Sequence, residues 1–290
     1  RCADVTGVQT CALPICRSLR LREGVLAVLL CGALATFGCE KKSGTPPAAP
    51  PAGGGTTPAP TAGGTPAPAA TGTQEWPAET GVIVGVVKCA ADVPMKPIAM
   101  AAKPECEALH TVDKPMSELV IKGANGGLKD VVVYVSSGVE SYQAPPPPKE
   151  PVVLDQRGCV YAPHVFACRV KQDLKVVNSD PFLHNVNSAP LNLAMNKPGE
   201  ELLKKHFKKQ VVGKQFKCDV HPWMSAWACA FDHPCFAVTD ADGNFRIENV
   251  PPGKVKLAFW HEPAPGIKVP AAIEIEVKAG EEVTAPEVSY

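Results

Sequence analysis

A short run in the last third of the chain brings three metal-binding residue types together. Cys218, His221 and Met224 lie within the run Cys-Asp-Val-His-Pro-Trp-Met. Thiolate, thioether and imidazole donors together select copper, and a plane of one Cys and two His with a weak axial Met suits one-electron transfer. Such a plane needs a second histidine. His184, in Asn-Ser-Asp-Pro-Phe-Leu-His-Asn some 34 residues upstream, is the candidate.

The alternative is that Cys218 is half of a disulfide and His221 an ordinary loop residue. The part of the chain predicted to fold carries seven cysteines, so assigning Cys218 to a metal leaves six for three disulfides. Spacing does not fix the connectivity, but pairs of neighbours along the chain are plausible. They are Cys89–Cys106, Cys159–Cys168 and Cys229–Cys235. An odd thiol in an exported protein favours the copper interpretation.

At these two motifs, over roughly residues 152–238, the chain resembles the cupredoxins, the amicyanin- and plastocyanin-like blue-copper proteins also seen among methylamine-utilisation proteins. The resemblance implies a single mononuclear (type 1) copper with His184, Cys218 and His221 as equatorial ligands and Met224 as the axial ligand. It also implies that Asn185 holds the ligand loop by hydrogen bonds. Pro222 and Trp223 are expected to stiffen this loop and to surround His221 with apolar surface.

The C-terminal segment carries a second resemblance. The run from Ala237 through Asp-Gly at 242–243 to Pro-Pro-Gly at 251–253 resembles the carboxypeptidase regulatory-like β-sandwich family. Asp-Gly is a typical two-residue hairpin turn, and Pro-Pro-Gly marks a second turn. The resemblance implies a non-catalytic module and no peptidase activity.

Short runs rich in β-branched residues, many alternating apolar with polar, predict an all-β fold. We expect a cupredoxin-like Greek-key sandwich with an additional β-sandwich module, after a disordered N-terminal tether. Residues 151–235 form the copper domain, residues 76–150 pack with the C-terminal module, and residues 236–290 form that module. One short helix is predicted, from Gly199 to Phe207.

The N-terminal part predicts export. Residues 1–16 resemble translated sequencing-adapter DNA and are excluded from function. Residues 17–39 combine a basic start with a short apolar run, the pattern of a signal peptide, and Cys39 is the expected lipidation site. Residues 40–75 are mostly Pro, Gly, Ala and Thr and predict a disordered linker. With twelve cysteines, this pattern favours the periplasm or cell envelope.

A formal net charge of zero gives no sign of nucleic-acid binding. The chain contains no recognisable catalytic constellation, so we expect a protein that is not an enzyme. The leading interpretation is a monomeric one-electron carrier, tethered to a membrane by its lipid, that meets a redox protein such as a cytochrome or a periplasmic oxidoreductase. A copper-delivery protein with the same ligands and a metal-free structural lipoprotein are the alternatives.

Overall fold

A computed structural model describes residues 73–290. The predicted N-terminal segments lie outside these residues. They are the adapter-like residues 1–16, the signal peptide with Cys39 and nearly all of the linker. The predicted all-β fold class is confirmed, because strands of two layered sandwiches account for nearly all the regular structure here. Within residues 73–290, no helix has the length and apolar character needed to cross a bilayer.

The described elements are short strands and one single-turn helix, α1, at Pro104–Glu107. In chain order the strands are β1 Gln74–Glu75, β2 Gly81–Lys88, β3 Val132–Ser137, β4 Tyr142–Gln143, β5 Val152–Arg157, β6 Val160–Ala162, β7 Val165–Arg169, β8 Leu174–Asn178, β9 His184–Ser188, β10 Leu191–Met195, β11 Glu200–Lys204, β12 Val211–Lys217, β13 Ser225–Phe231, β14 Phe236–Val238, β15 Asn244–Val250, β16 Gly253–Trp260, β17 Ile273–Val277, β18 Glu282–Thr284 and β19 Val288–Ser289.

The middle of the chain forms the first sandwich. One sheet has the strand order β10-β9-β12-β13-β7, and the other has the order β11-β8-β5-β6. Alternating side chains from the two sheets meet in one apolar core, which includes Leu154, Leu174, Val176 and Phe216, all fully buried. We call this unit the site sandwich, because the candidate metal ligands belong to it.

The second sandwich is assembled from segments on both sides of the site sandwich. Strands β14-β3-β16-β17 form one sheet, and β15-β2-β18 with β19 form the other. β2 therefore pairs with β15, with Ile83 opposite Ile247, and β3 pairs with β14 and β16. The site sandwich is an insertion between β3 and β14, so both of its ends are attached to a second folded unit.

The two sandwiches meet through an aromatic cluster. Trp260 of β16 packs beside Trp227 of β13, with ring centroids 5.7 Å apart, and Phe231 packs on Tyr134 at 4.7 Å. Gly213 lies at an irregularity in β12 with φ of +72°, and a Cβ built there would lie 2.6 Å from the Trp260 indole nitrogen. Strand β12 can approach Trp260 this closely because residue 213 has no side chain.

Replacing Gly213 with alanine is therefore expected to lower the free energy of unfolding by about 1–3 kcal/mol, from left-handed backbone strain and overpacking. Gly199→Ala is the matched control, because Gly199 has φ of +75° but nothing within 4 Å of a built Cβ. Urea unfolding of both variants measures the difference. Equal losses of unfolding free energy in the two variants would show that the close approach of residue 213 to Trp260 contributes nothing to the effect.

Two local predictions differ from the structure. The predicted helix from Gly199 to Phe207 is wrong: β11 at Glu200–Lys204 pairs with β8 instead. Edge pairing with β8 supplies the backbone hydrogen bonds and overrides the helix propensity of Glu, Leu and Lys. The ordered part also begins earlier than residue 76, because Gln74 and Glu75 pair with β4.

The predicted disulfides are also wrong. Cys106 pairs with Cys159, while Cys89, Cys168, Cys229 and Cys235 are free and buried. Two of the predicted pairs join residues of different cores. Cys89 packs in the second sandwich but Cys106 packs in the site sandwich, and Cys229 lies at the junction while Cys235 packs in the second sandwich. Cys159 and Cys168 share the core of the site sandwich, but Cys159 is bonded to Cys106 instead.

Candidate metal centre

The candidate ligands lie where two neighbouring strands of the site sandwich meet. β9 begins at His184, and β12 ends at Lys217, immediately before Cys218. The two strands are antiparallel, with Lys217 opposite Asn187, so the start of one lies beside the end of the other. The turn from Cys218 to Met224 then leads into β13 and carries His221 back over this end of the sheet.

Three donor atoms converge at this point. His184 Nδ1 and His221 Nδ1 are 3.0 Å apart, and Cys218 Sγ is 3.5 Å from His221 Nδ1. One donor from each residue lies within 4.8 Å of the others. All three residues are at most 3% exposed, and Met224, which sequence reasoning predicts as the axial ligand, is 1% exposed in the same core. The structure thus brings the sequence-predicted donors His184, Cys218 and His221 into one buried cluster.

Asp180 fixes the orientation of His184. Its Oδ2 accepts a hydrogen bond from His184 Nε2 at 2.7 Å and another from the Cys159 backbone N–H at 2.8 Å. Its Oδ1 accepts from the Gly158 backbone N–H at 2.7 Å. Because Nε2 carries the proton donated to the carboxylate, Nδ1 is left to face His221 and Cys218.

Asn185 ties the ligand loop to β9. Its backbone N–H points at Cys218 Sγ at 3.3 Å, and its side-chain oxygen accepts from the Asp219 backbone N–H at 3.1 Å. The loop also closes on itself, since the Cys218 N–H donates to the Met224 carbonyl at 3.2 Å and the Met224 N–H donates to the His221 carbonyl at 2.9 Å. The sulfur and His221 are therefore held in place by backbone hydrogen bonds.

The Cys106–Cys159 disulfide and Trp223 lie beside His221. The ligand atoms of Cys106, Cys159 and His221 lie within 4.8 Å of one another. Trp223 packs against His221 with centroids 5.4 Å apart and donates its indole N–H to the Cys159 carbonyl at 2.9 Å. His221 Nε2 is buried and has no hydrogen-bond partner. A cavity of about 570 Å³ lies beyond Trp223 and Met224.

The electrostatics of the cluster bring Cys218 and His221 towards the protonation states that metal ligands need. Burial raises the pKa of Cys218, but hydrogen bonds from His184 and from the backbone of Asn185, Val220 and His221 together outweigh it, so this pKa lies below its usual value. Burial also lowers the pKa of His184, but hydrogen bonds and charge interactions with Asp180 and Cys218 together more than reverse that effect, so this pKa lies above its usual value. For His221, burial and the neighbouring His184 lower the pKa to about 4. A thiolate-prone sulfur thus lies beside an imidazole that is neutral at physiological pH.

These shifts predict the titration of the metal-free protein. His184 is expected to bind its proton above pH 6.5, and His221 only near pH 4. The depressed pKa of His221 lowers the free energy of unfolding as pH falls from about 6.5 to 4, because only the unfolded imidazole is then protonated. The raised pKa of His184 contributes stability below pH 6.5 that is lost as pH rises through its folded value. Nuclear magnetic resonance of the labelled imidazoles measures both pKa values. If His221 binds its proton at a higher pH than His184 does, the assignment is contradicted.

The donor set fits a copper ion. In a trigonal plane with bonds of about 2.0 Å to nitrogen and 2.3 Å to sulfur, the donor atoms would lie about 3.5–3.7 Å apart. The separations of 3.0 and 3.5 Å require only a small expansion. His184, Cys218 and His221 would hold the ion, with Met224 as the thioether neighbour.

Sequence reasoning did not assign roles to two features of this centre. Asp180 stands four residues before His184, and a carboxylate near a metal-binding histidine is a common outer-shell partner, so this signal was present. The contact between the Cys106–Cys159 disulfide and His221 had no signal, because the pairing joins residues 53 positions apart.

Comparison with known proteins adds little to this description. No protein-family profile and no curated protein sequence matches the chain. Among solved structures, amicyanin from Paracoccus versutus is similar at 17% identity over 34% of this chain and 96% of its own, with a TM-score of 0.25. A purple cupredoxin from Nitrosopumilus maritimus is similar at 18% identity over 27% of this chain and 97% of its own, with a TM-score of 0.24.

A copper-containing nitrite reductase from Thermus scotoductus SA-01 is also similar, at 21% identity over 28% of this chain, with a TM-score of 0.25. The match spans 22% of that enzyme's length, so it concerns a minor part of it. Because these identities and scores are low, the function of this chain is inferred from the geometry of its own centre.

Proposed function

We propose that this protein binds one mononuclear type 1 copper ion through His184, Cys218, His221 and Met224 and acts as a one-electron carrier. The observation that carries the proposal is the convergence of two imidazole nitrogens and a buried thiol at separations of 3.0 and 3.5 Å. Bound copper would supply the Cu(II)/Cu(I) couple. The residues of this chain would orient the donors and exclude water.

Two features support electron transfer over substrate chemistry. The four proposed ligands are all nearly fully buried, so the ion would have no open position facing bulk solvent. Asp180 and Asn185 hold His184 and Cys218 by hydrogen bonds before any metal is present. Donors that are already in place need little movement when the oxidation state changes. On these grounds we propose a carrier and not an enzyme.

The setting of this carrier is also proposed. The basic and apolar run at residues 17–39 and the Pro/Gly/Ala/Thr-rich run after it support export with a lipid on Cys39 and a flexible tether. This would place the protein in the periplasm or cell envelope. There it would exchange electrons with a cytochrome or a periplasmic oxidoreductase. The second sandwich would be the non-catalytic module that its resemblance to the carboxypeptidase regulatory-like family implies.

Copper delivery with the same ligands is the second candidate. Soft donors such as Cys218 and Met224 hold Cu(I) well, and this chemistry is common to carriers and delivery proteins. The two functions differ in how readily the ion leaves. The full burial of His184 and the network around Asp180 favour retention of the ion over transfer.

The absorption spectrum of the copper-loaded protein tests the proposal. We expect an intense visible band from a Cu(II)–thiolate bond, together with reversible one-electron voltammetry. A protein that stays colourless after Cu(II) addition under non-reducing conditions would exclude the type 1 site. Tight Cu(I) binding without reversible voltammetry would support delivery.

A further inference from the structure

The Cys106–Cys159 disulfide lies against the candidate copper centre. Its sulfur atoms are within 4.8 Å of a ring nitrogen of His221, and Cys159 Sγ also lies within 4.8 Å of a donor from His184 and one from Asp180. Both cysteines are fully buried in the core of the site sandwich. Two potential thiolates therefore lie beside the imidazole of His221.

His221 has a ring nitrogen to spare. Nδ1 faces His184 Nδ1 and Cys218 Sγ, so this nitrogen belongs to the first centre. Nε2 is buried and has no hydrogen-bond partner. A buried polar atom without a partner carries an energetic cost, so it needs an explanation such as an unfilled binding role. The disulfide and this nitrogen together supply three soft or borderline donors.

We propose that reduction of the disulfide creates a second metal site, in which Cys106, Cys159 and Nε2 of His221 bind a soft ion such as Cu(I). This goes beyond the electron-carrier proposal, because the site exists only in the reduced protein. His221 would then join two ions, through Nδ1 to the first and through Nε2 to the second. Thiolates with an imidazole are a donor set that selects Cu(I) or Zn²⁺.

The chemistry balances with a dithiol as the reductant. The dithiol gives two electrons and two protons to the disulfide and becomes a disulfide itself, while Cys106 and Cys159 become thiols. On metal binding, the two thiol protons and the Nε2 proton pass to solvent. The freed sulfur atoms can then separate to the spacing that a shared ion requires.

The positions of Cys106 and Cys159 favour a metal site over a disulfide with a purely structural role. α1 is a single turn that carries Cys106, and Cys159 lies in the turn between β5 and β6 at positive φ. α1 belongs to the long connection between β2 and β3, and Cys159 belongs to the tight turn between β5 and β6, so both cysteines lie outside the strands and small movements of them leave the sheets intact. Trp223 shields the site from solvent through its hydrogen bond to the Cys159 carbonyl. The thiolates would therefore bind metal in a dry, apolar pocket.

Copper stoichiometry of the full chain tests the proposal. The oxidised protein and the protein reduced with dithiothreitol, then freed of it under anaerobic conditions, are titrated with Cu(I) against a chromogenic Cu(I) chelator. We expect the reduced wild type to retain one more Cu(I) per chain than the reduced double variant Cys106→Ala/Cys159→Ala. Cysteines outside the pair are common to both proteins and cancel in this comparison.

The double variant Cys168→Ala/Cys229→Ala is the control, since both residues are buried free thiols in or beside the same sandwich. It should keep the additional ion. Equal Cu(I) uptake by the reduced wild type and by the reduced Cys106/Cys159 variant would overturn the site. Loss of one bound Cu(I) in the Cys168/Cys229 control as well would also overturn it.

A measurement on the wild type covers the case in which the double variant does not fold. A second equivalent of Cu(I) should add Cu(I)–thiolate absorption in the ultraviolet to the reduced wild type and none to the oxidised wild type. Equal absorption in the two forms, or none in either, would overturn the site. Failure of the electron-carrier proposal is distinguishable, because it would appear as a missing visible band in the oxidised protein and would leave the reduced-protein difference intact.

Discussion

Cys218→Ala is expected to abolish the visible band of the copper-loaded protein and to weaken copper binding by more than about 100-fold, beyond what loss of an outer-shell partner causes. The reason is that Cys218 supplies the sulfur of the donor triangle, 3.5 Å from His221 Nδ1. Two imidazoles and a thioether cannot replace a short Cu–thiolate bond. Absorption spectroscopy and competition titration measure the two effects.

The same variant separates metal binding from folding. Without metal, we expect the variant to have a free energy of unfolding lower by about 1–3 kcal/mol, because the buried Asn185 N–H loses the sulfur it points at. Copper at about 100 times its dissociation constant should stabilise the wild type by roughly 2.7 kcal/mol and the variant far less. Cys168→Ala is the control, since this buried free thiol is in the same core and should leave the band unchanged. A coloured Cys218→Ala protein would refute the ligand assignment.

Asp180→Asn is expected to weaken copper binding by about 10–100-fold and to reduce the free energy of unfolding of the metal-free protein by about 2–4 kcal/mol. The carboxylate accepts three hydrogen bonds, from His184 Nε2 and from the backbone N–H groups of Gly158 and Cys159. An amide offers one acceptor oxygen and turns an NH₂ group towards N–H donors. Isothermal titration and urea unfolding measure the two losses.

The pH dependence of this effect has a defined sign. Burial raises the pKa of Asp180, but hydrogen bonds from His184 and from the backbone of Cys159 and Gly158 bring it below its usual value of 3.8. Its stabilising contribution is therefore present above pH 3.8 and is lost as pH falls through the lower, folded value. Asp173→Asn is the control, because Asp173 is 28% exposed and contacts only Lys205 at 3.6 Å among the described ion pairs. Equal losses in both variants would contradict the role assigned to Asp180.

Much of the centre could be predicted because its residues are close in sequence. Cys218, His221 and Met224 belong to one turn, and the alternating strands on either side fix where that turn lies. His184 was predicted from its motif, and antiparallel pairing of β9 with β12 brings it beside Cys218. Strand periodicity and short-range spacing are properties that a single sequence carries.

The disulfide could not be predicted in the same way. Counting cysteines suggested three bridges between neighbours, whereas the described residues form one bridge and leave five thiols buried and free. A buried thiol packs well as a small apolar group, so an even count does not require pairing. The odd-thiol argument for copper therefore fails, and the convergence of donors at His221 replaces it.

The insertion of the site sandwich between β3 and β14 also has a consequence for biosynthesis. β2 leaves the ribosome early, but its partner β15 follows only after the whole inserted unit, so β2 has no partner along that edge in the meantime. Pairing at such long sequence separation is slow, and unpaired strand edges are sites of aggregation. Mutations that slow folding of the inserted unit should therefore reduce the yield of the whole protein.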